Sequence, residues 1–220
     1  MRYAAVIFDF GGVITSSPFE AFNRLEAERG LPQDFVRRVN SADPDTNAWA
    51  RLERGELTRE AFDRAFAEEA EALGHALDGA SVLACLSGAL RPAMVTALDR
   101  IVAAGLRIGC ITNNAPAGKD GAGNGPGMAT DPVKAGQLAP VFARFEHVIE
   151  SAKAGVRKPN PRIYRMMCDA LGVAPEVCIY LDDLGINCKP AAALGMHAIK
   201  VTGETQALAD LSAALGIALD

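Results

Sequence analysis

An α/β fold built on a parallel sheet is predicted by three observations: apolar runs that end in polar or acidic residues, helical stretches alternating with those runs, and Gly or Pro at the helix boundaries. The first run, Ala4-Ala5-Val6-Ile7-Phe8-Asp9-Phe10-Gly11-Gly12-Val13-Ile14-Thr15, is apolar at consecutive positions, as expected of a strand covered on both faces. The Gly pair behind Asp9 turns the chain, and in open parallel sheets this end of a strand faces the binding cleft. A carboxylate is too costly to bury alone, so Asp9 is expected to be solvated, paired or bound to a metal.

Four more segments read as strands: 106–113, 145–150, 177–183 and 198–201. Helices are predicted over 92–104 before Gly105, 161–171 with Pro in its first turn, 187–194 before Gly195 and 205–215 before Gly216. Residues 18–90 break the alternation and read as helices only, over 18–28, 33–39, 47–54, 58–73 and 81–86. The expected organisation is therefore an α/β core of residues 1–16 and 91–220 with a helical insert of residues 17–90 lying over the strand ends. Within that insert Trp49 and its neighbours Arg51, Glu53 and Arg54 are candidates to line the substrate entrance, but Trp49, spaced helically with Ala48 and Leu52, reads rather as core. The Gly-rich stretch 115–131 is expected to be a surface loop; it lacks the Gly-Lys-Ser/Thr of a phosphate-cradling P-loop.

Composition narrows the function classes. At 220 residues, 50% hydrophobic and 22% charged, the chain is ordinary globular protein and large enough for a core plus a smaller module. A net charge of −5 with no Lys/Arg block argues against nucleic-acid binding. No apolar run reaches the length of a membrane span, and Asp9 interrupts the only stretch that could pass for a signal peptide. Five Cys without CxxC spacing point to reduced thiols, and a cytoplasmic location is expected.

Three predicted strand ends carry polar chemistry: Asp9, Thr112 with Asn113, and Asp182 with Asp183. Lys158 lies in Gly155-Val156-Arg157-Lys158-Pro159-Asn160-Pro161, just before a helix. Each has a plain structural explanation on its own, as turn, cap, strand hydroxyl or surface charge. Carboxylates at the ends of adjacent parallel strands, however, converge in one cleft, and their repulsion calls for a cation. Hard oxygen ligands suit Mg²⁺. With a hydroxyl and an ammonium added, the set matches a bound phosphoryl group.

The order Asp9-Phe10-Gly11-Gly12-Val13, Ile111-Thr112-Asn113, Lys158-Pro159 and Asp182-Asp183 with Asn187 resembles the four motifs of the haloacid dehalogenase superfamily, whose fold is a Rossmann-like sheet with a cap. The helical insert is similar to that superfamily's C1 cap. Arg157-Lys158-Pro159-Asn160-Pro161-Arg162-Ile163-Tyr164 and Leu181-Asp182-Asp183-Leu184-Gly185-Ile186-Asn187-Cys188-Lys189-Pro190 resemble the branch that includes the N-terminal phosphatase domain of soluble epoxide hydrolase. The resemblance implies a hydrolase of a small phosphorylated metabolite, with Asp9 as nucleophile forming an aspartyl phosphate. It implies Mg²⁺ held by Asp9, the Gly11 carbonyl and Asp183 with Asp182 ordering a metal-bound water, and Asn187 supporting the acidic loop. Thr112, Asn113, Lys158 and the backbone at Gly12 would bind phosphoryl oxygens, Lys158 also neutralising the nucleophile. One position departs from the pattern: Gly11 stands where phosphatases of the superfamily usually carry an acid/base Asp. That leaves two alternatives, a non-catalytic or regulatory phosphate-binding protein and a haloacid dehalogenase, which also lacks the second Asp but needs no metal.

Overall fold

The computed structural model describes residues 2–116 and 132–219. Strands β1 (Ala5–Phe8), β2 (Arg107–Thr112), β3 (His147–Glu150), β4 (Cys178–Asp182) and β5 (His197–Lys200) form a parallel sheet in the order β3-β2-β1-β4-β5. All five lie where the sequence places a strand. Successive residues of β1 serve opposite faces: Val6 and Phe8 join one apolar cluster, Ala5 and Ile7 the other. This two-sided burial is why the strand shows no alternation.

Between β1 and β2 come five helices, α1 (Pro18–Glu28), α2 (Phe35–Ser41), α3 (Ala48–Glu53), α4 (Arg59–Ala72) and α5 (Gly79–Ala84), then α6 (Pro92–Ala103). Asn47, Thr58 and Asp78 cap α3, α4 and α5 through side-chain oxygens, which fixes where those helices begin. Helices α1 to α5 close over an apolar cluster of their own, including Phe22, Phe35, Leu52, Phe62 and Phe66. Trp49 packs edge-on against Phe22 and Phe62, within this cluster. Chain entry and exit lie side by side. Thr15 and Leu90 form an antiparallel bridge, flanked by hydrogen bonds from Ser16 N–H to Ala89 O (2.8 Å) and from Arg91 N–H to Ile14 O (2.9 Å).

The remaining helices are α7 (Pro132–Phe142), α8 (Ser151–Ala154), α9 (Pro161–Leu171), α10 (Gly185–Ala193) and α11 (Glu204–Leu215). Helices α6, α7 and α11 cover one face of the sheet, α9 and α10 the other. Helix α7 departs from the sequence reading, which has no helix there. Gly136 and Pro140 lie inside it and weaken its pattern, yet Leu138 and Val141 bury against the sheet. A parallel β2–β3 pair also needs a crossover connection, which α7 supplies. Most of the Gly-rich stretch 115–131 lies outside the described residues. No helix among the described residues is long and apolar enough to cross a membrane.

The strand order positions the site. From β1 the chain builds outward through β2 and β3, then returns to β4 and β5 on the other side, so the direction of winding reverses between β1 and β4. A crevice opens at such a point beyond the carboxyl ends of the strands. Phe8 is in register with Leu181, and Asp9 N–H donates to Leu181 O at 2.8 Å. Asp9 and Asp182 therefore leave the sheet as neighbours.

Candidate active site

Lys158 joins those two acids. Its Nζ lies 2.7 Å from Asp9 Oδ1 and 2.9 Å from Asp182 Oδ2, and the side chain is 1% exposed. Burial favours a neutral amine, but the Asp182 and Asp9 carboxylates outweigh it and hold the Lys158 pKa above its ordinary value. Asp182 is saturated with donors. Its Oδ2 accepts from Lys158 and from Tyr180 OH (2.5 Å), its Oδ1 from Leu184 N–H (2.8 Å), and Asn187 Nδ2 lies 3.1 Å from both oxygens. Asp9 is less completely engaged. Its Oδ1 takes Lys158 and Phe10 N–H (2.6 Å), while Oδ2 makes no hydrogen bond among the described residues.

Asp183 completes an acidic group, its carboxylate oxygen within 4.8 Å of one from each of Asp9 and Asp182. Burial, reinforced by Asp182, pushes its pKa up to about 6, and burial pushes that of Asp9 well above the ordinary carboxylate range against the pull of Lys158. Three carboxylates against one ammonium leave negative charge uncompensated, and the donor set is hard oxygen, so the residues fit a divalent cation such as Mg²⁺. The turn after β1 is shaped to this approach. Gly12 has φ +78°, and a Cβ there would lie 2.1 Å from Asp183 Oδ2, so only glycine admits the carboxylate. Ser17, just before α1, donates its hydroxyl to the same oxygen at 3.2 Å instead of capping the helix. At Gly11 a Cβ would meet no atom within 4 Å.

The end of β2 supplies the third wall. Thr112 is 7% exposed, and its hydroxyl makes no hydrogen bond among the described residues. The Asn113 side chain is engaged within the protein. Its Oδ1 accepts from Lys158 N–H at 2.9 Å, and its Nδ2 donates to Lys158 O and to Glu53 Oε2, both at 3.1 Å. That leaves only its main chain for a phosphoryl group. Sequence reasoning assigned no role to Tyr180, Ser17 or Arg157, and weighed Glu53 only as a neighbour of Trp49 at the substrate entrance. Tyr180 reads as one more apolar strand residue, and Glu53 is hidden among the helix charges Arg51 and Arg54.

The chain is similar to several known proteins. Acyl-CoA dehydrogenase family member 10 of Mus musculus is 32% identical over 99% of this chain and 20% of its own length. Bifunctional epoxide hydrolase 2 of the same organism is 29% identical over 98% of this chain and 39% of its length. The chain thus spans well under half of either relative. A phosphatase of Mycobacterium tuberculosis (strain CDC 1551 / Oshkosh) is 29% identical over 100% of this chain and 98% of its own. Among solved structures, a HAD family enzyme from Bacteroides thetaiotaomicron in complex with magnesium and inorganic phosphate superposes with a TM-score of 0.59 at 16% identity, covering 92% of this chain and 96% of that one. The L-2-haloacid dehalogenase from Xanthobacter autotrophicus with chloropropionic acid covalently bound gives 0.60 at 21% identity, covering 98% and 84%. At such identities these two share the fold alone. The family model for haloacid dehalogenase-like hydrolases matches residues 3–195, and the chain belongs to that family.

Proposed function

We propose that the chain is a Mg²⁺-dependent phosphomonoester hydrolase acting on a small phosphorylated metabolite through an aspartyl phosphate on Asp9. The observation that carries this reading is the meeting of three carboxylates with the buried Lys158 at the switch point of the sheet. Asp9 Oδ2, the oxygen without a partner among the described residues, attacks phosphorus; the ester P–O bond breaks, and water then hydrolyses the aspartyl phosphate. Lys158 holds Oδ1 and lowers the negative charge that an incoming phosphate meets. The Thr112 hydroxyl and the main chain at Gly12 and Asn113 orient phosphoryl oxygens. Asp9, Asp183 and the Gly11 carbonyl would hold Mg²⁺, with Asp182 beside the ion because its own acceptors are filled. The ion supplies positive charge between two anions that would otherwise repel. Residues 17–90 act as a cap over the core of 1–16 and 91–220.

Gly11 offers no acid to the leaving group, which must take its proton from water. General acid catalysis contributes roughly 100-fold to 10,000-fold, so substrates with good leaving groups, such as aryl or acyl phosphates, are hydrolysed well ahead of alkyl phosphates. The test is a phosphate-release screen across phosphoesters with and without Mg²⁺. Turnover that needs Mg²⁺ and follows leaving-group acidity supports the reading. Mg²⁺-dependent capture of beryllofluoride without turnover would instead identify a phosphate-binding protein, a reading that the missing acid at Gly11 favours. Chelator-resistant halide release would identify a dehalogenase.

A further inference from the structure

Glu53 ends helix α3 of the insert, is 8% exposed, and directs most of its contacts out of the insert. Its Oε1 accepts from Trp49 Nε1 at 2.9 Å within its own helix. Its Oε2 accepts from Asn113 Nδ2 at 3.1 Å and lies 2.6 Å from Arg157 Nε, both groups belonging to the core. Those two partners flank one residue. Asn113 brackets Lys158 by taking its N–H and giving a hydrogen to its carbonyl, and Arg157 precedes it in the chain. Arg157 also donates through Nη1 to Pro44 O at 2.9 Å, a second contact with the insert. Near this contact the backbones are close: a Cβ at Gly55 would lie 2.4 Å from Ala152 O.

Every group facing Glu53 is a donor, so its carboxylate serves as an acceptor, although burial pushes its pKa up against the pull of Arg157. What it can do is hold. The Asn113 hydrogen bond and the Arg157 ion pair can meet on one carboxylate only while the insert is docked, and the main chain of Lys158 is tied to that arrangement. We propose that Glu53 is a positioning residue that makes the seat of the Lys158 ammonium against Asp9 depend on docking of the insert. With the insert lifted, Lys158 loosens and ligands exchange; with it seated, the charge needed for reaction is in place. The catalytic half of this inference rests on the phosphatase reading. The coupling of Glu53 to the Lys158 segment does not.

The experiment compares Glu53→Ala and Glu53→Gln with a control, Glu69→Gln. Glu69 accepts from Ala48 N–H at the start of the same helix α3, a contact made within the insert. The first readout is hydrogen exchange of the Lys158 amide, measured with no substrate. In Glu53→Ala it accelerates by about 10-fold or more, in Glu53→Gln by less because one acceptor oxygen remains, and in Glu69→Gln it stays at the wild-type rate. The second readout is phosphate release. Loss of such a supporting contact lowers kcat by roughly 10-fold to 100-fold with KM little changed, and Glu53→Gln recovers part of it. If Glu53→Ala fails to fold, Arg157→Met breaks the same contact from the core side and is judged by the same exchange. Unchanged Lys158 exchange in the Glu53 variants, or equal acceleration in the Glu69 control, overturns the inference. A wild type that releases no phosphate from any ester overturns the phosphatase reading and leaves the exchange result decisive for the coupling.

Discussion

The turns that follow β1 and β4 begin alike, each with an Asp leaving the sheet beside the other, and end in opposite conditions. After β4, Asp182 is fully enclosed, with Lys158, Tyr180, Asn187 and Leu184 N–H on its oxygens. After β1, Asp9 keeps one oxygen without a partner among the described residues and sits in a turn of two glycines. Residue type and strand position are shared, so what distinguishes the two acids is the number of donors that the fold brings to each carboxylate. On the proposed reading, filled acceptors make a support and an empty one makes a reactive group.

Asp9→Asn should separate the two turns most sharply. Phosphate release falls by about 1,000-fold or more, while the denaturation midpoint without Mg²⁺ holds or rises, because an amide needs no counter-charge. A variant that kept its activity would remove Asp9 from the chemistry. Asp182→Ala should do the reverse and strike the fold. It takes the acceptor from the Tyr180 hydroxyl and Leu184 N–H and leaves the buried Lys158 ammonium with Asp9 alone, and losing one partner of a buried pair typically costs about 3–5 kcal/mol, readable by chemical denaturation. A loss of less than about 1 kcal/mol would show that Asp182 is not the anchor described.

Gly11→Asp sharpens the contrast from the other side. The backbone there lies outside the left-handed region and a Cβ meets nothing within 4 Å, so an acid fits. Release from alkyl phosphates should rise by roughly 100-fold, with a smaller gain for aryl phosphates. No gain in a folded variant would mean that another group already serves as acid. The smallest effect is one of pH. Asp183 titrates near 6 when folded, above its unfolded value. Between those values the folded chain keeps a proton that the unfolded chain has lost, so metal-free stability declines as pH rises towards 6 and then levels. Mg²⁺ requires the ionised acid, so the rise in Tm that it produces should be larger at pH 7 than at pH 5. Equal shifts at both would exclude Asp183 from the metal site.

How much of this was legible in the sequence follows from the same contrast. Strands buried on both faces leave unbroken apolar runs, and the polar residue that closes each run marks the cleft, so Asp9, Thr112 and Asp182 could be placed before any coordinates. Helix α7 left little trace because Gly136 and Pro140 blur its period. The contacts that distinguish the two acids were invisible for a different reason. Tyr180 lies two residues from Asp182 in the same strand, on a side chain that looks like core. Glu53 meets Asn113 across sixty positions of sequence. No local pattern records a partner at that distance.

The paired chain crossing at Thr15 and Leu90 has a consequence for how such a molecule could diversify. Because the insert departs and returns at adjoining points, the sheet experiences the whole helical block as though it were a short hairpin. Closing that loop costs little more than closing a brief one, since the entropic penalty grows only with the logarithm of length. A block of another size or shape could be grafted at this junction without shifting the register of any strand, leaving the strand-end residues in place while the helices above them are exchanged.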